Sequence, residues 1–87
     1  MATTKQKFEA AAENVKKLTK RPSNDEFLQL YSLYKQGSQG DIEGKRPGFT
    51  DMVGRAKYDA WAALKGTTPD EAMKKYVATV ESLLAQG

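Results

Sequence analysis

Tyr31, Tyr34 and Lys35, in the stretch LYSLYKQ, are the residues of this sequence whose types and spacing most invite chemistry. On a helix, residues three and four apart share a surface, so two phenols and an ammonium would lie on neighbouring parts of it. Hydroxyls beside a cation on an aromatic floor form a donor-rich cluster suited to an anion. The plainer alternative is a pair of half-buried core tyrosines beside a solvated lysine. Lys57 and Trp61, four apart in AKYDAW, again place a cation on one face with a large aromatic. Their plainer alternative is a packing tryptophan with a lysine stem lying over it. Tyr76 is a third such element, but it sits inside a regular apolar stripe, where core packing explains it more simply. Taken together, these side chains fit a ligand with a planar ring and a phosphate, because aromatic faces stack on a base while lysines and phenols hold phosphate oxygens.

The missing residue types narrow the chemistry. The 87 residues include no histidine and no cysteine. Disulfides, the usual transition-metal ligands, cysteine nucleophiles and histidine acid–base catalysis are therefore all excluded. Glu9, Glu13, Asp25, Glu26, Asp70 and Glu71 fall at helix starts or on polar faces, where capping and solubility explain them. The sequence GSQGDIEG lacks the GK[ST] ending of a phosphate loop. These features favour a binding protein with no cofactor and no metal over an enzyme, although carboxylates, serines and lysines could still do chemistry. With 14 basic and 11 acidic residues the net charge is +3. The basic runs are short and interrupted, so nucleic acid is not the expected partner. No secretory h-region and no apolar run of about 20 residues is present, which predicts a soluble, cytoplasmic protein.

Four segments must position these residues, in a chain whose length predicts a single domain over residues 1–87. Phe8, Ala11, Ala12, Val15 and Leu18 form a narrow stripe, placing a first helix at about 5–18. SNDE then offers Ser23 as a cap with Glu26 reaching back, opening a second helix at about 24–37. Its apolar residues Phe27, Leu28, Leu30, Tyr31, Leu33 and Tyr34 spread over roughly 220° of the circumference. A helix so widely apolar needs cover on two sides, by neighbouring helices on one and by a ligand on the other. The Gly- and Pro-rich stretch from Gly37 to Thr50 carries no period and reads as a long connection. A third helix at about 53–65 carries Lys57 and Trp61, and a fourth at about 69–85 opens on Thr68 and Pro69. No segment alternates at period two, so the fold class is all-α with four helices.

LYSLYKQGSQGD, KRPGF, AKYDAWAALKG and EAMKKYVATV, in that order, resemble the acyl-CoA-binding proteins, also called the diazepam-binding inhibitor family. The resemblance runs from Phe8 to about Leu84 and implies an antiparallel four-helix bundle, up-down-down-up, with a long loop between helices 2 and 3. It implies a monomeric intracellular carrier and pool former for medium- to long-chain acyl-CoA thioesters, without catalysis. Tyr31, Lys35 and Lys57 would grip the phosphorylated ribose of the CoA head, Tyr76 would help at the nucleotide, and Lys16 would add positive charge. Phe8, Ala11, Ala12, Leu28 and Tyr31 would line the region of the acyl chain. Contact with membranes or acyl-CoA-using enzymes would be transient. The sequence departs from the family pattern at Tyr58, where many members have tryptophan, at Val53 and Arg55, where lysine is common, and at Gly37 and Ser38. Two rival readings are a small basic helical module for nucleic acid and one for protein partners.

Overall fold

The computed structural model describes residues 2–86, and among them there are four α-helices and no strand. Three are α1 (Thr4–Asn14), α2 (Asn24–Gln39) and α4 (Pro69–Gln86), with a 3-10 turn (Val15–Lys17) following α1. The fourth, α3 (Met52–Ala62), follows a connection of residues 40–51. Each helix start is chemically marked. In α2 the Ser23 hydroxyl accepts from the Glu26 N–H at 3.1 Å, and the Glu26 carboxylate accepts from the Ser23 N–H at 2.8 Å. Thr3 and Gln6 build the same reciprocal cap on α1. Asp51 accepts from the Gly54 N–H at 3.0 Å to open α3, and Thr68 accepts from the Glu71 N–H at 3.2 Å to open α4. Such caps satisfy N–H groups that have no partner inside the helix.

The helix ends differ from the sequence expectation in ways that have causes. The first helix tightens into its 3-10 turn, and Leu18 turns extended, so its regular part stops at Asn14. The second passes through Gly37 and Ser38 and stops at Gly40, whose φ of +81° suits glycine. Gly37 lies inside α2 at a point where the space beside it is occupied. A Cβ there would lie 3.1 Å from Met73 Cγ and 3.3 Å from the Phe8 ring. The third helix ends at Ala62 and unwinds through a turn in which the Leu64 N–H reaches the Trp61 carbonyl.

Contacts along α2 set the direction of every helix. α4 packs on α1 and α2, and α3 packs on α2. The start of α2 shares a groove with the start of α3 (Phe27 and Leu28 with Met52 and Val53), and its end bonds the end of α3 (Gln36 with Trp61). The two helices therefore run parallel, which is why a long connection must join them. Gly37 near the end of α2 lies against Met73 near the start of α4 and Phe8 of α1, so both of those run the other way. The order is up-down-down-up. The core is Phe8, Ala11, Leu30, Leu33, Ala72, Tyr76 and Val80, drawn from α1, α2 and α4. α3 contributes no fully buried side chain. The molecule is a slab of 41 × 28 × 15 Å. No described helix is long and apolar enough to cross a membrane.

Candidate ligand-binding site

Polar ties, rather than a dry seam, hold α3 against α2. The Trp61 indole N–H donates to the Gly40 carbonyl at 2.9 Å and the Gln36 side-chain oxygen at 3.1 Å. The fully buried Gln36 amide donates to Asp41 at 2.8 Å and the Thr67 carbonyl at 2.7 Å. Asp41 also accepts from the Gly66 N–H. That bond, then the one from Gln36, and the nearby Lys65 hold the Asp41 carboxyl below its ordinary range. The long connection is pinned to α3 by Tyr58, which donates to the Gly44 carbonyl at 3.0 Å, and by Arg46, whose guanidinium donates two hydrogen bonds to the Asp59 carboxylate, at 2.8 and 2.6 Å. That pairing keeps the Asp59 carboxyl low.

This frame brings Lys35 of α2 and Lys57 of α3 to one ring, that of Tyr31. Lys57 Nζ lies 5.3 Å from the centre of the Tyr31 ring and 5.7 Å from that of Phe27. Lys35 Nζ lies 5.8 Å from Tyr31 and 5.8 Å from Trp61. On sequence spacing Lys57 pairs with Trp61, but in the fold the partner changes: Lys57 crosses to α2 and Lys35 takes the indole. Among the described residues neither ammonium forms an ion pair. Each gains about 0.5–1 kcal/mol from an aromatic face. Two like charges beside one ring also leave a place where an anion would relieve their repulsion.

Tyr34 turns away from this cluster. It stacks on Phe8 at 5.3 Å, and Tyr76 meets both rings, at 5.2 Å and 5.8 Å. Burial, then Tyr34, raises the Tyr76 phenol above its ordinary value. Tyr31, Tyr34 and Tyr76 line a groove of about 360 Å³ with Val15, Leu18, Lys20, Arg21, Pro22, Phe27 and Leu30. A second groove of about 470 Å³ runs between the starts of α2 and α3, lined by Phe27, Leu28, Met52, Val53, Ala56, Arg21, Pro22 and Asn24. Phe27, Arg21 and Pro22 border both, so the two grooves adjoin at the Phe27 ring.

The predicted residues therefore fall into four places: a cluster, the grooves, the core and the open surface. Tyr31, Lys35 and Lys57 come together, and Tyr76 is both core and groove wall. Leu28 lies in the groove between α2 and α3, whereas Phe8 and Ala11 are core and Ala12 packs against that core from α1. Lys16 is exposed, lines neither groove and sits 3.6 Å from Glu13. Sequence reasoning did not single out Met52, Val53 and Ala56 as groove walls. Their signal is an apolar helix start directly after the Gly- and Pro-rich connection. It also missed the Gln36–Asp41–Trp61 ties, which depend on contacts between residues far apart in sequence.

The chain as a whole is similar to known proteins. The family model described as acyl CoA binding protein covers residues 5–80. The acyl-CoA-binding protein homolog of Drosophila melanogaster is 52% identical over 81 residues, 93% of this chain and 94% of its own. The acyl-CoA-binding protein of Dictyostelium discoideum is 54% identical over 76 residues, 87% of this chain and 90% of its own. The crystal structure of Oryza sativa Acyl-CoA-Binding Protein 2 superposes with a TM-score of 0.92 at 39% identity, covering 97% of this chain and 93% of that one.

Proposed function

This chain belongs to the acyl-CoA-binding protein family, and on that premise we propose that it binds medium- to long-chain acyl-CoA thioesters and carries them as a non-catalytic, monomeric cytoplasmic protein. The observation that carries the reading is the pair of lysines, in no ion pair among the described residues, sharing the Tyr31 ring beside two adjoining apolar grooves. The ribose phosphate sits between Lys35 and Lys57, and the Tyr31 hydroxyl donates to it. The nucleotide end lies along the groove walled by Tyr34 and Tyr76, with Phe8, Ala11 and Ala12 packed behind them. The acyl chain follows the groove of Leu28, Phe27, Met52, Val53 and Ala56. Lys16 adds positive charge at longer range, weakened by Glu13. A ligand with such a tail also partitions into bilayers, so the carrier meets membranes and acyl-CoA-using enzymes transiently.

Both halves of the ligand contribute to affinity. Each buried methylene adds about 0.8 kcal/mol, and each charge-assisted hydrogen bond about 1.5–3 kcal/mol. A long-chain acyl-CoA should therefore bind far more tightly than free CoA or the free fatty acid, at one ligand per chain. Calorimetry with the three ligands tests this. The Trp61 emission should change with the same saturation, since Lys35 rests on its indole. Equal affinity for fatty acid and acyl-CoA would remove the head-group site.

A further inference from the structure

An acyl-CoA carries anionic groups in two places, and Lys35 with Lys57 answers only one of them. The ribose bears a phosphate, and a diphosphate joins the same ribose to the pantetheine arm that ends in the thioester. A cation standing where the arm leaves the nucleotide adds charge-assisted hydrogen bonds to the second group.

Arg21 stands at such a place. It lies on the connection between the 3-10 turn and α2. The groove walled by Tyr31, Tyr34 and Tyr76 adjoins the groove between α2 and α3 there, and Arg21 lines both. Among the described residues it is the only charged side chain lining the groove between α2 and α3, and on the other groove Lys20 joins it. No described carboxylate lines either groove. Glu26 shares an adjoining hollow with Lys20 and Arg21, but its carboxylate is bonded to the Ser23 N–H and caps α2. Arg21 is exposed, and among the described residues its guanidinium is in no hydrogen bond or ion pair. Pro22 directly after it restricts the Arg21 backbone to extended conformations. Less freedom is then lost when the side chain takes a ligand. The type of residue matters as well as its charge: a planar guanidinium holds two phosphate oxygens at once, whereas an ammonium acts as a point charge.

We propose that Arg21 binds the diphosphate of the bound acyl-CoA and turns the ligand from one groove into the other. The nucleotide then lies on the Tyr34 and Tyr76 side, the pantetheine arm starts at the shared rim by Phe27, and the tail enters between α2 and α3. Arg21 has this role only if the carrier reading holds, and it adds to that reading the cation that sets the direction of the ligand.

Calorimetry with wild type, Arg21→Gln and Arg21→Lys tests the assignment against three ligands with the same tail. These are the acyl-CoA, its dephospho form, which lacks the ribose phosphate and keeps the diphosphate, and the S-acylpantetheine, which keeps the thioester and lacks every phosphate. The tail is chosen long enough that the S-acylpantetheine still binds wild type measurably. Arg21→Gln should bind the acyl-CoA about tenfold more weakly than wild type, and should lose about as much with the dephospho form. With the S-acylpantetheine the two chains should bind alike. Arg21→Lys should restore part of the affinity, leaving a loss of about threefold. Both variants should keep their helical circular dichroism, because the guanidinium holds no other part of the fold. Unchanged affinity of Arg21→Gln for the acyl-CoA overturns the assignment. A loss that persists with the S-acylpantetheine places Arg21 on the thioester or the tail, and a loss that vanishes with the dephospho form places it on the ribose phosphate; either result overturns it too. Wild type that fails to bind the acyl-CoA at all is a separate outcome, which removes the carrier reading and the role of Arg21 together.

Discussion

The role proposed for Lys35 and Lys57 rests on what surrounds them rather than on charge alone. Lys16 and Lys74 spend their charge on Glu13 and Asp70, and Arg46 spends its own on Asp59. The two lysines beside Tyr31 have aromatic faces instead, which hold the ammonium in place without neutralising it. Removing either should weaken acyl-CoA binding by about 1.5–3 kcal/mol, roughly ten- to a hundredfold. The loss should shrink sharply with the dephospho ligand, because the deleted contact is then already missing. Wild type, Lys35→Ala and Lys57→Ala, each titrated with both ligands, form the cycles that measure this. A coupling near zero for both would mean that neither lysine touches that phosphate. Tyr58 shows how a family departure acquires a structural reason: its hydroxyl donates to the Gly44 carbonyl, a bond that ties the long connection to α3.

At the scale of the helices, local signals were legible and distant ones were not. Ser23 with Glu26, and Thr68 with Pro69, mark the starts of α2 and α4 in sequence and in structure. The unusually wide apolar surface of α2 announced that it would be covered on two sides, and it faces α4, α3 and both grooves. α2 runs on to Gln39 although the Gly- and Pro-rich stretch opens at Gly37. The constraint on Gly37 is the approach of Met73 and Phe8, which belong to other helices. The exchange of lysine partners between Tyr31 and Trp61 is hidden for the same reason, since helical spacing describes one helix at a time. Gly37 supplies a direct test. Gly37→Ala gains about 1 kcal/mol of helix propensity and needs Met73 and Phe8 to shift only slightly, so urea unfolding should find it within about 1 kcal/mol of wild type. Gly37→Val cannot be accommodated by so small a shift, and should cost about 1–3 kcal/mol. Equal stability of the two variants would show that the crossing of α1, α2 and α4 is looser than these distances indicate.

For the molecule as a whole, a slab 15 Å through its thinnest direction has little interior. Part of its cohesion comes from the polar junction where Gln36, Asp41, Trp61, Gly66 and Thr67 join the ends of α2 and α3 to the turn before α4. Asp41 gives that junction a pH dependence. Its carboxyl is lower in the folded chain than the ordinary 3.8, chiefly through the Gly66 N–H and the Gln36 amide. The stability it contributes is therefore complete above about pH 4 and is lost as pH falls through the lower folded value. Asp41→Asn should be less stable than wild type near pH 7, and the gap should close toward about pH 2. Denaturant unfolding at several pH values measures the difference, and the Asp59 contribution, common to both chains, cancels. A gap that stays constant with pH would mean that the charge of Asp41 is not what holds the junction. The thinness of the slab reaches beyond the test tube. Tyr76 and Leu30 are at once the core and the lining of the groove, so filling the groove braces the core itself. A ligand that binds only the folded chain also lowers the open population on which proteases act. The lifetime of the protein in a cell would then follow its cargo: empty copies would be cleared first, and the amount of carrier would track the amount of thioester waiting to be carried.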